Sequence, residues 1–328
     1  MNLNNKMLDI SLFGESHGKY VGATLTGLPS GVRIDKNVID CYLNERRPNK
    51  NYETNRIEND EYEFISGVNN NYSNGNPITI IIKNGDVKDE SELLARPSHG
   101  DYETYLKNGV YADLRGGGIS SGRLTAPLVA LGSIVIEFLK TKNVYLHAQE
   151  EINEELLLKA STTGDSVGGI VEVKIEGIEK GLGGNLFDSL ESKIARAVLS
   201  LPGIKGIEFG LGFKFANYLG SEVNDQFKKE NEKIIVTSNN SGGINAGITN
   251  GENITFNAIF KPTPTIAKEQ NYLNLKNMVV ETKKICSRND TCIARRGKYA
   301  ILAITAIQIL DAYMEKYGSE YLKWWIII

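Results

Sequence analysis

Glycine is the residue that most constrains this chain, because it is both abundant and clustered. The 328 residues include 33 glycines but only 8 prolines, and the glycines do not recur at every third position as they do in collagen. Because it has no Cβ atom, glycine adopts left-handed backbone conformations and lets the main chain approach a ligand closely. The densest clusters lie at residues 116–122 and 242–251. They predict tight turns at which a ligand is bound.

The charge balance and the apolar content exclude several classes of protein. Lys and Arg number 37 against 40 Asp and Glu, a net charge of −3, so we expect no nucleic-acid partner. Hydrophobic residues make up 41% of the chain, which is too many for a disordered protein. The three cysteines, Cys41, Cys286 and Cys292, have no CxxC spacing, which argues against a disulfide framework or a structural zinc ion. We therefore expect a cytoplasmic protein with no metal.

The sequence shows no pattern typical of targeting or membrane insertion. Residues 1–10 are polar and lack the charged and apolar regions of a signal peptide. The longest apolar run, 299–310, is shorter than the roughly 20 residues that a membrane helix requires. No membrane partner is therefore expected. The apolar residues 324–328 predict a buried strand or a subunit contact, with a membrane-surface anchor as the alternative.

Hydrophobic periodicity predicts strands and helices that are interleaved along the chain. Short β-branched or alternating runs predict strands over 77–82, 169–175 and 254–260. Longer apolar patterns predict helices over 124–139, 190–200 and 296–313. This order indicates an α/β or an α+β fold. The length allows one large domain or two ordinary ones, and no linker-like run separates two halves.

Two of the three histidines occur in the same tripeptide, Ser-His-Gly. His17 follows Ser16, and His99 follows Ser98. Histidine titrates near neutral pH and therefore often acts as a general acid or base. A single loop histidine is usually only a surface residue, but two in matched settings make His17 and His99 candidates for catalysis.

The first glycine cluster leads directly into the predicted helix 124–139. Glycine backbone N–H groups and a helix N-terminus favour anions, and Ser120 and Ser121 add hydroxyl donors. Arg115 and Arg123 flank the cluster and can bind phosphate or carboxylate with two hydrogen bonds each. The segment has neither a Walker ending nor a dinucleotide fingerprint. It predicts an anion or cofactor-phosphate site, with a plain tight turn as the alternative.

Three further segments carry polar groups of the same kind. Residues 237–251 hold the second glycine cluster, and residues 261–265 combine a lysine and two threonines with two prolines. Arg46 and Arg47 form a basic pair, for which a solvated charged face is the ordinary interpretation. Asp290 precedes the predicted helix 296–313 and would ordinarily cap it. Together with the two histidines, these groups indicate an enzyme that acts on an anionic, phosphorylated small molecule.

These segments, in this order, resemble the chorismate synthase family over nearly the whole chain. The matching motifs are FGESHG (13–18), ETNRIEND (53–60), RPSHGDY (96–102), DLRGGG (113–118), SGGI (241–244), ITNG (248–251), FKPT (260–263) and RND (288–290). The resemblance implies an α+β fold, with a single domain over residues 1–328 and a β-α-β sandwich core. It also implies a homotetramer.

The resemblance implies a specific reaction. Family members convert 5-enolpyruvylshikimate 3-phosphate to chorismate by a 1,4-anti elimination of phosphate, the last common step of the shikimate pathway to aromatic amino acids. They require reduced FMN although there is no net redox change. Some members reduce the flavin with NADPH and others depend on an outside reductant, so NADPH is a candidate reductant here.

The matching motifs also imply roles for individual residues. The catalytic residues would be His17, His99 and Asp290. The residues expected to contact FMN are Ser120, Ser121, Thr237, Ser238, Ala246, Lys261, Pro262, Thr263, Pro264, Thr265 and Arg288. The residues expected to bind the substrate anions are Arg46, Arg47, Arg115 and Arg123.

The chain departs from the family pattern at several of these positions. Ile119 and Leu124 stand where the family has Arg and Glu, Asn289 replaces a histidine, and Ala246 replaces a glycine. The loss of the arginine at 119 is expected to remove one phosphate or flavin contact. Two alternatives follow, a non-catalytic flavin-binding relative and a redox flavoenzyme that consumes NADPH. The three residues for proton chemistry are all present, which favours an active enzyme.

Overall fold

The fold consists of short helices and antiparallel sheets around two long helices. A computed structural model describes residues 1–89, 93–285 and 289–323 of the chain. The α-helices in these residues are α1 Lys36–Arg46, α2 Asp101–Asn108, α3 Thr125–Lys140, α4 Glu154–Thr163, α5 Leu190–Leu199, α6 Gly220–Val223 and α7 Ala294–Lys323. The strands are β1 Asn2–Leu3, β2 Asp9–Gly14, β3 Tyr20–Thr26, β4 Tyr62–Ser66, β5 Val68–Asn69, β6 Tyr72–Ser73, β7 Ile78–Lys83, β8 Leu94–Ala95, β9 Tyr145–Glu151, β10 Gly169–Glu176, β11 Ile204–Phe209, β12 Phe227–Glu230, β13 Lys233–Val236, β14 Ile244–Asn245, β15 Ile248–Thr249, β16 Ile254–Phe260, β17 Glu269–Asn274 and β18 Val279–Lys284.

Two larger antiparallel sheets form the outer layers. The first has the strand order β1-β2-β3-β7-β4, and the second has the order β11-β16-β10-β9. In the first sheet Val21 pairs with Ile82, and in the second Val173 pairs with Phe256. All four of these side chains are buried. Each sheet therefore turns one apolar face inward, as its alternating sequence requires.

Helices α3 and α7 lie between the two sheets. Helix α3 packs on β3 and β7 of the first sheet, α7 packs on β9 and β10 of the second, and the two helices pack on each other. This arrangement confirms the predicted α+β fold with a β-α-β sandwich core. One hydrophobic cluster joins residues of both sheets and both helices. A single domain needs such a shared core, and single-domain organisation over residues 1–328 remains a prediction.

The middle layer is tightly packed because both of its helices are apolar. Fourteen of the sixteen residues of α3 are buried, which confirms the buried helix predicted over 124–139. A Cβ atom at Gly132 would lie only 2.6 Å from Ala303 Cα, so this glycine lets α3 approach α7 closely. Among the described residues, the stretch Gly122–Lys140 is long and apolar enough to span a membrane, but 89% of it is buried inside the protein.

The other predicted elements are also present. The strands predicted over 77–82, 169–175 and 254–260 are β7, β10 and β16, and the helix predicted over 190–200 is α5. The helix predicted over 296–313 is the central part of α7, which is longer at both ends. The prediction for residues 324–328 falls outside the described residues, as does the predicted flavin contact Arg288.

Candidate active site

Loops from both halves of the sandwich surround a cavity of about 750 Å³. They come from the end of β2, the segment after α1, the segment 94–101 before α2, the turn before α3, the exit of β16 and the start of α7. The described residues that line it include nine Arg and Lys side chains against five Asp and Glu. The cavity is therefore cationic although the whole chain has a net charge of −3. This local excess of positive charge favours an anionic ligand.

His17 lies on the wall of the cavity with its ring oriented by a backbone carbonyl. Its Nδ1 atom is 2.7 Å from the Asp86 carbonyl oxygen, which can only accept, so Nδ1 donates the hydrogen bond. The side chain is 5% exposed. Burial lowers the pKa of His17, and the positive charges of Arg56 and Lys88 lower it further. In the absence of a ligand the ring is therefore neutral at pH 7, with Nε2 as its free acceptor.

His99 is held by a buried acid. Its Nδ1 atom lies 2.8 Å from Asp101 Oδ1, and the Asp101 residue is 2% exposed. Arg96 donates to the same carboxylate from Nε at 2.7 Å and from Nη2 at 2.9 Å. Burial alone would raise the pKa of the Asp101 carboxyl, but hydrogen bonds from His99 and Arg96 outweigh it and hold this pKa well below its usual range. Asp101 is therefore ionised at neutral pH.

A turn of three consecutive glycines brings the two histidines to the same wall. Gly116, Gly117 and Gly118 all have positive φ, at 58°, 94° and 50°. A Cβ atom at Gly116 would overlap His17 Nε2, and one at Gly117 would lie 2.9 Å from His99 Cε1. Only glycine combines this backbone with contact to both rings. The tight turn and the site are thus one feature, and the two interpretations offered by the sequence do not exclude each other.

Asp290 faces the cavity from the segment before α7. Its carboxylate accepts two hydrogen bonds from Arg296 Nη1, at 2.9 and 2.7 Å, and one from the Thr54 backbone N–H at 3.0 Å. Arg296 also donates from Nε to the Arg46 carbonyl oxygen at 3.0 Å. The described hydrogen bonds of the Asp290 carboxylate are therefore to Arg296 and Thr54. They do not include a backbone N–H of α7, as the prediction of a helix cap would require. Arg296 joins the acid to the arginine pair at the end of α1.

The loop after β16 connects the His99 and Asp290 segments. Lys261 Nζ donates to the Ser98 carbonyl oxygen, and Thr263 Oγ1 donates to the Asp290 carbonyl oxygen at 2.8 Å. Burial, together with the charge of Lys205, lowers the pKa of the Lys261 ammonium. Every residue predicted in this loop lines the cavity, namely Lys261, Pro262, Thr263, Pro264 and Thr265.

The predicted substrate arginines all line the cavity but differ in how they are bound. Arg46 is 6% exposed and donates to the Gly122 carbonyl oxygen at 2.7 Å, so the interpretation as a solvated face is wrong for it. Burial and the neighbouring Arg296 lower the pKa of Arg46 to about 9, which still leaves it cationic at pH 7. Arg123 pairs with buried Asp60, and Arg115 pairs with Asp113.

Arg47 is less constrained than these three. It donates to Asn44 Oδ1 at 2.6 Å, whereas its buried Nε atom lies 3.8 Å from Asp60 Oδ2 and has no hydrogen-bond partner among the described residues. An unpaired buried donor costs free energy unless a ligand or water satisfies it. Arg47 is therefore the arginine best placed to gain from an anion in the cavity. Ser120 and Ser121 line the same cavity and add the two predicted hydroxyl groups.

Three of the predicted flavin contacts lie outside the cavity. Thr237, Ser238 and Ala246 do not line the cavity, and Ser238 Oγ donates to Asp225 Oδ1 at 2.6 Å. Ala246 lies in the turn between β14 and β15, with φ of 50°. The prediction that these residues join the same site is therefore not supported within one chain. Residues 237–246 lie near the start of β16, where Asn239 donates to the Asn253 carbonyl oxygen, whereas the cavity lies at the exit of the same strand.

Sequence reasoning missed four lining residues that organise the site. Arg56 donates to the Ser16 carbonyl oxygen at 2.9 Å and orders the loop that carries His17. Arg96 and Asp101 flank His99, and Arg296 pairs with Asp290. Two of them could have been found from the sequence, because Arg96 stands three residues before His99 and Asp101 two residues after it. The departure Ile119 does not line the cavity, and its side chain is exposed.

Two imidazoles, a carboxylate and an excess of arginine around one cavity define a class of protein. Groups of these types can bind an anionic small molecule and exchange protons with it, as the active sites of enzymes do. The particular family follows from comparison with known proteins. The family model described as chorismate synthase matches residues 8–314.

Individual relatives agree with the family model. A chorismate synthase of Chitinophaga pinensis is 39% identical, with 95% of this chain and 96% of that protein covered. One of Sulfolobus acidocaldarius is 36% identical, with 93% and 88% covered. One of Thermococcus gammatolerans is 34% identical, with 97% and 99% covered. The chain therefore belongs to the chorismate synthase family, a family of enzymes.

A solved structure supports the fold independently. A crystal structure of a chorismate synthase superimposes with a TM-score of 0.75 and covers 99% of this chain and 100% of its own. The two sequences are 24% identical, so this likeness concerns the fold. It confirms the architecture that the sheets and the two central helices define.

Proposed function

We propose that this chain catalyses the 1,4-anti elimination of phosphate from 5-enolpyruvylshikimate 3-phosphate to give chorismate, with reduced FMN bound. The C–O bond to the phosphate breaks, a proton leaves C6, and a new C=C bond forms without net oxidation. One observation carries the proposal: His17, His99 and Asp290 come from three distant segments and line one cationic cavity. Family membership supplies the substrate class.

The residues present fit a flavin phosphate and a second anionic ligand. The volume of about 750 Å³ lies in the range of ligand sites, and the glycine turn leaves space that a Cβ atom would fill. The groups that would hold FMN are the hydroxyls of Ser120, Ser121, Thr263 and Thr265, the Lys261 ammonium, and the main chain at Pro262 and Pro264. When bound, the reduced flavin would supply transient electron density to the reacting carbon skeleton.

His17 is assigned to the leaving phosphate. A phosphate next to Nε2 would raise the lowered pKa of the ring, so the ring would take up a proton on binding and give it to the departing group. Arg47 and Arg46 would stabilise the charge that develops on the phosphate oxygens. The arginines are positioned before the reaction, which avoids a reorganisation cost during the elimination.

Asp290 is assigned to removal of the C6 proton. Its carboxylate faces the cavity, while Arg296 and the Thr54 N–H hold its orientation. His99 would hold a proton at the flavin end, where Lys261 and Thr265 also lie. Arg288 is proposed as a flavin contact on the basis of the family resemblance alone. Thr237, Ser238 and Ala246 are not included in this proposed site.

An anaerobic assay of the purified protein tests the proposal. The substrate 5-enolpyruvylshikimate 3-phosphate and reduced FMN should yield chorismate and phosphate in equal amounts. FMN binding without either product would favour the non-catalytic relative. Sustained NADPH oxidation without phosphate release would favour the redox flavoenzyme. His17→Gln and Asp290→Asn should each lower kcat about 10²-fold or more, since general acid–base groups contribute this much.

We further propose NADPH as the reductant, a homotetramer as the assembly and the cytoplasm as the location. NADPH with oxidised FMN should support chorismate formation if the enzyme reduces its own flavin. No product with NADPH, but full activity with dithionite-reduced FMN, would show that it depends on an outside reductant. Light scattering on a size-exclusion column should give four times the chain mass of 36.2 kDa.

A further inference from the structure

We propose that Asp101 is a positioning residue for His99, which keeps the proton of the neutral ring on Nδ1. This leaves Nε2 as the atom that exchanges a proton with a bound group. The inference rests on the proposed function only for the reaction that His99 serves. The arrangement of the ring is a property of the protein and can be measured without substrate.

Arg96 occupies most of the acceptor positions of the Asp101 carboxylate, and a position on Oδ1 is left for the His99 ring. Its Oδ2 atom accepts from the Arg96 backbone N–H at 3.1 Å and from Arg96 Nε at 2.7 Å. Its Oδ1 atom accepts from Arg96 Nη2 at 2.9 Å and lies 2.8 Å from His99 Nδ1. A guanidinium group has no acceptor, so Arg96 cannot reverse any of these bonds.

The alternative tautomer is disfavoured by electrostatics. If Nδ1 carried no proton, its lone pair would face a buried carboxylate oxygen at 2.8 Å. The second N–H of Arg96 Nη2 could donate to the same nitrogen over 3.2 Å, but this longer bond would replace the shorter one of 2.8 Å between Nδ1 and the carboxylate. Buried acceptors placed against each other without a proton between them are strongly unfavourable. The Nδ1–H form is therefore the one that this geometry stabilises.

The consequence lies on the other side of the ring. The Nε2 and Cε1 atoms of His99 face Gly117, whose Cβ would come within 3.2 and 2.9 Å of them. With Nδ1 engaged, Nε2 accepts a proton when the ring is neutral and donates one when it is charged. The ionised Asp101 also stabilises the charged ring. This is the orienting role of the third residue in a catalytic triad.

Replacing Asp101 by Asn should move the proton of the neutral His99 ring from Nδ1 to Nε2. The amide oxygen can take the place of Oδ2 and accept from the Arg96 backbone N–H and Nε. This places the amide NH₂ at the Oδ1 position next to His99 and removes the acceptor of Arg96 Nη2. That group can only donate, so Nδ1 becomes an acceptor and the ring proton moves to Nε2. Asp101→Glu keeps an acceptor at this place and should preserve the wild-type form.

Ring ¹⁵N NMR at pH 8 tests this directly. The chain has three histidines, His17, His99 and His147, so His99→Gln assigns the signals. We expect Nδ1–H for His99 in the wild type and in Asp101→Glu, and Nε2–H in Asp101→Asn. A wild-type ring that carries its proton on Nε2 would overturn the inference, whether or not the variants fold. An unchanged tautomer in folded Asp101→Asn would do the same.

The activity assay tests the role in the reaction. Asp101→Asn should lower kcat about 10²-fold or more while KM for the substrate changes less than about threefold. Asp101→Glu should recover part of the loss, and Asp188→Asn, which changes an exposed ion pair with Lys6, should keep wild-type activity. Wild-type activity in Asp101→Asn would overturn the positioning role. An inactive wild type would contradict the proposed function instead, and the tautomer result would still stand on its own.

Discussion

Gly116 packs against the imidazole of His17 so closely that a Cβ atom there would overlap Nε2. The glycine has φ of 58°, in the left-handed region. It is therefore required twice, once by the backbone and once by the ring it touches. One of the clustered glycines of this chain therefore contacts a proposed catalytic atom.

Gly116→Ala should lower kcat/KM at least about tenfold, because the new methyl group displaces the His17 ring. Its stability cost should be about 1–2 kcal/mol, the usual penalty of a left-handed non-glycine residue. Gly75→Ala is the matched control, since Gly75 also has positive φ but its Cβ would come no closer than 3.7 Å to a neighbour. Urea unfolding and steady-state kinetics measure both effects. Equal activity losses in the two variants would show that backbone strain alone is responsible.

The pH dependence of kcat/KM should reveal the lowered pKa of His17. The acid form is needed to protonate the leaving phosphate, and it is lost in the free enzyme as pH rises through this pKa. Because burial lowers the pKa from the ordinary 6.5, kcat/KM should start to fall with rising pH below pH 6.5. His17→Gln should lack this limb, whereas His99→Gln should retain it. A limb that persists in His17→Gln would assign the titration to another group.

Arg296 and Asp290 should act as one unit. Arg296→Gln removes the two hydrogen bonds that orient the carboxylate, so kcat should fall about 10–100-fold. Asp290→Asn removes the proposed base itself. The double variant should therefore be no slower than Asp290→Asn alone within about threefold, because the arginine acts through the acid. Multiplicative losses would show that Arg296 contributes independently, for instance by binding the substrate.

Asp311 should make the protein less stable as pH rises from about 4 to 6. It is fully buried in α7, accepts from the Met7 and Leu8 backbone N–H groups at 2.8 Å, and lies beside Glu315. Burial, together with the neighbouring carboxylate of Glu315, raises its pKa from 3.8 to about 6. In this window the folded state keeps a proton that the unfolded state has released, so stability falls with rising pH.

Asp311→Asn should remove this dependence. Its amide oxygen can accept from Met7 and Leu8, and its NH₂ group can donate to the neighbouring Glu315 carboxylate. Relative to wild type, the variant should be equally stable near pH 4 and about 1–2 kcal/mol more stable at pH 7.5. Denaturant unfolding at the two pH values measures this difference. A variant that is less stable by the same amount at both would mean that the carboxylate itself is needed.

Gly132 and Ala303 should be coupled across the α3–α7 contact. A Cβ at Gly132 would overlap Ala303 Cβ, so Gly132→Ala should destabilise the protein by about 1–3 kcal/mol through overpacking. Adding Ala303→Gly creates the missing space and should recover part of that loss. The recovery will be incomplete because glycine costs up to about 1 kcal/mol in a helix. No recovery in a double-mutant cycle would show that the helices have shifted apart.

Local sequence patterns predicted the main strands and helices and the two histidines of the cavity, whereas the layered core was implied by the family resemblance. Buried strands and helices have a periodicity of apolar residues that is visible locally, which is why β7, β10, β16 and α5 were found near their observed bounds. The repeated Ser-His-Gly tripeptide identified His17 and His99, and both line the cavity. These features depend on residues close together in the chain. Local patterns are sufficient to find them.

Only the tertiary structure decided which side chains serve each other. Arg296 binds Asp290, which stands six residues before it, and also the Arg46 carbonyl oxygen, which lies 250 residues earlier in the sequence. The loop with Thr237 and Ser238 contains hydroxyl groups and glycines, as phosphate-binding loops do, yet Ser238 donates to Asp225 and neither residue lines the cavity. The chemical type of a side chain determines what it can bind. Which groups meet depends on the folding of distant loops onto two sheets and a helical layer, and short-range sequence patterns do not encode those distances.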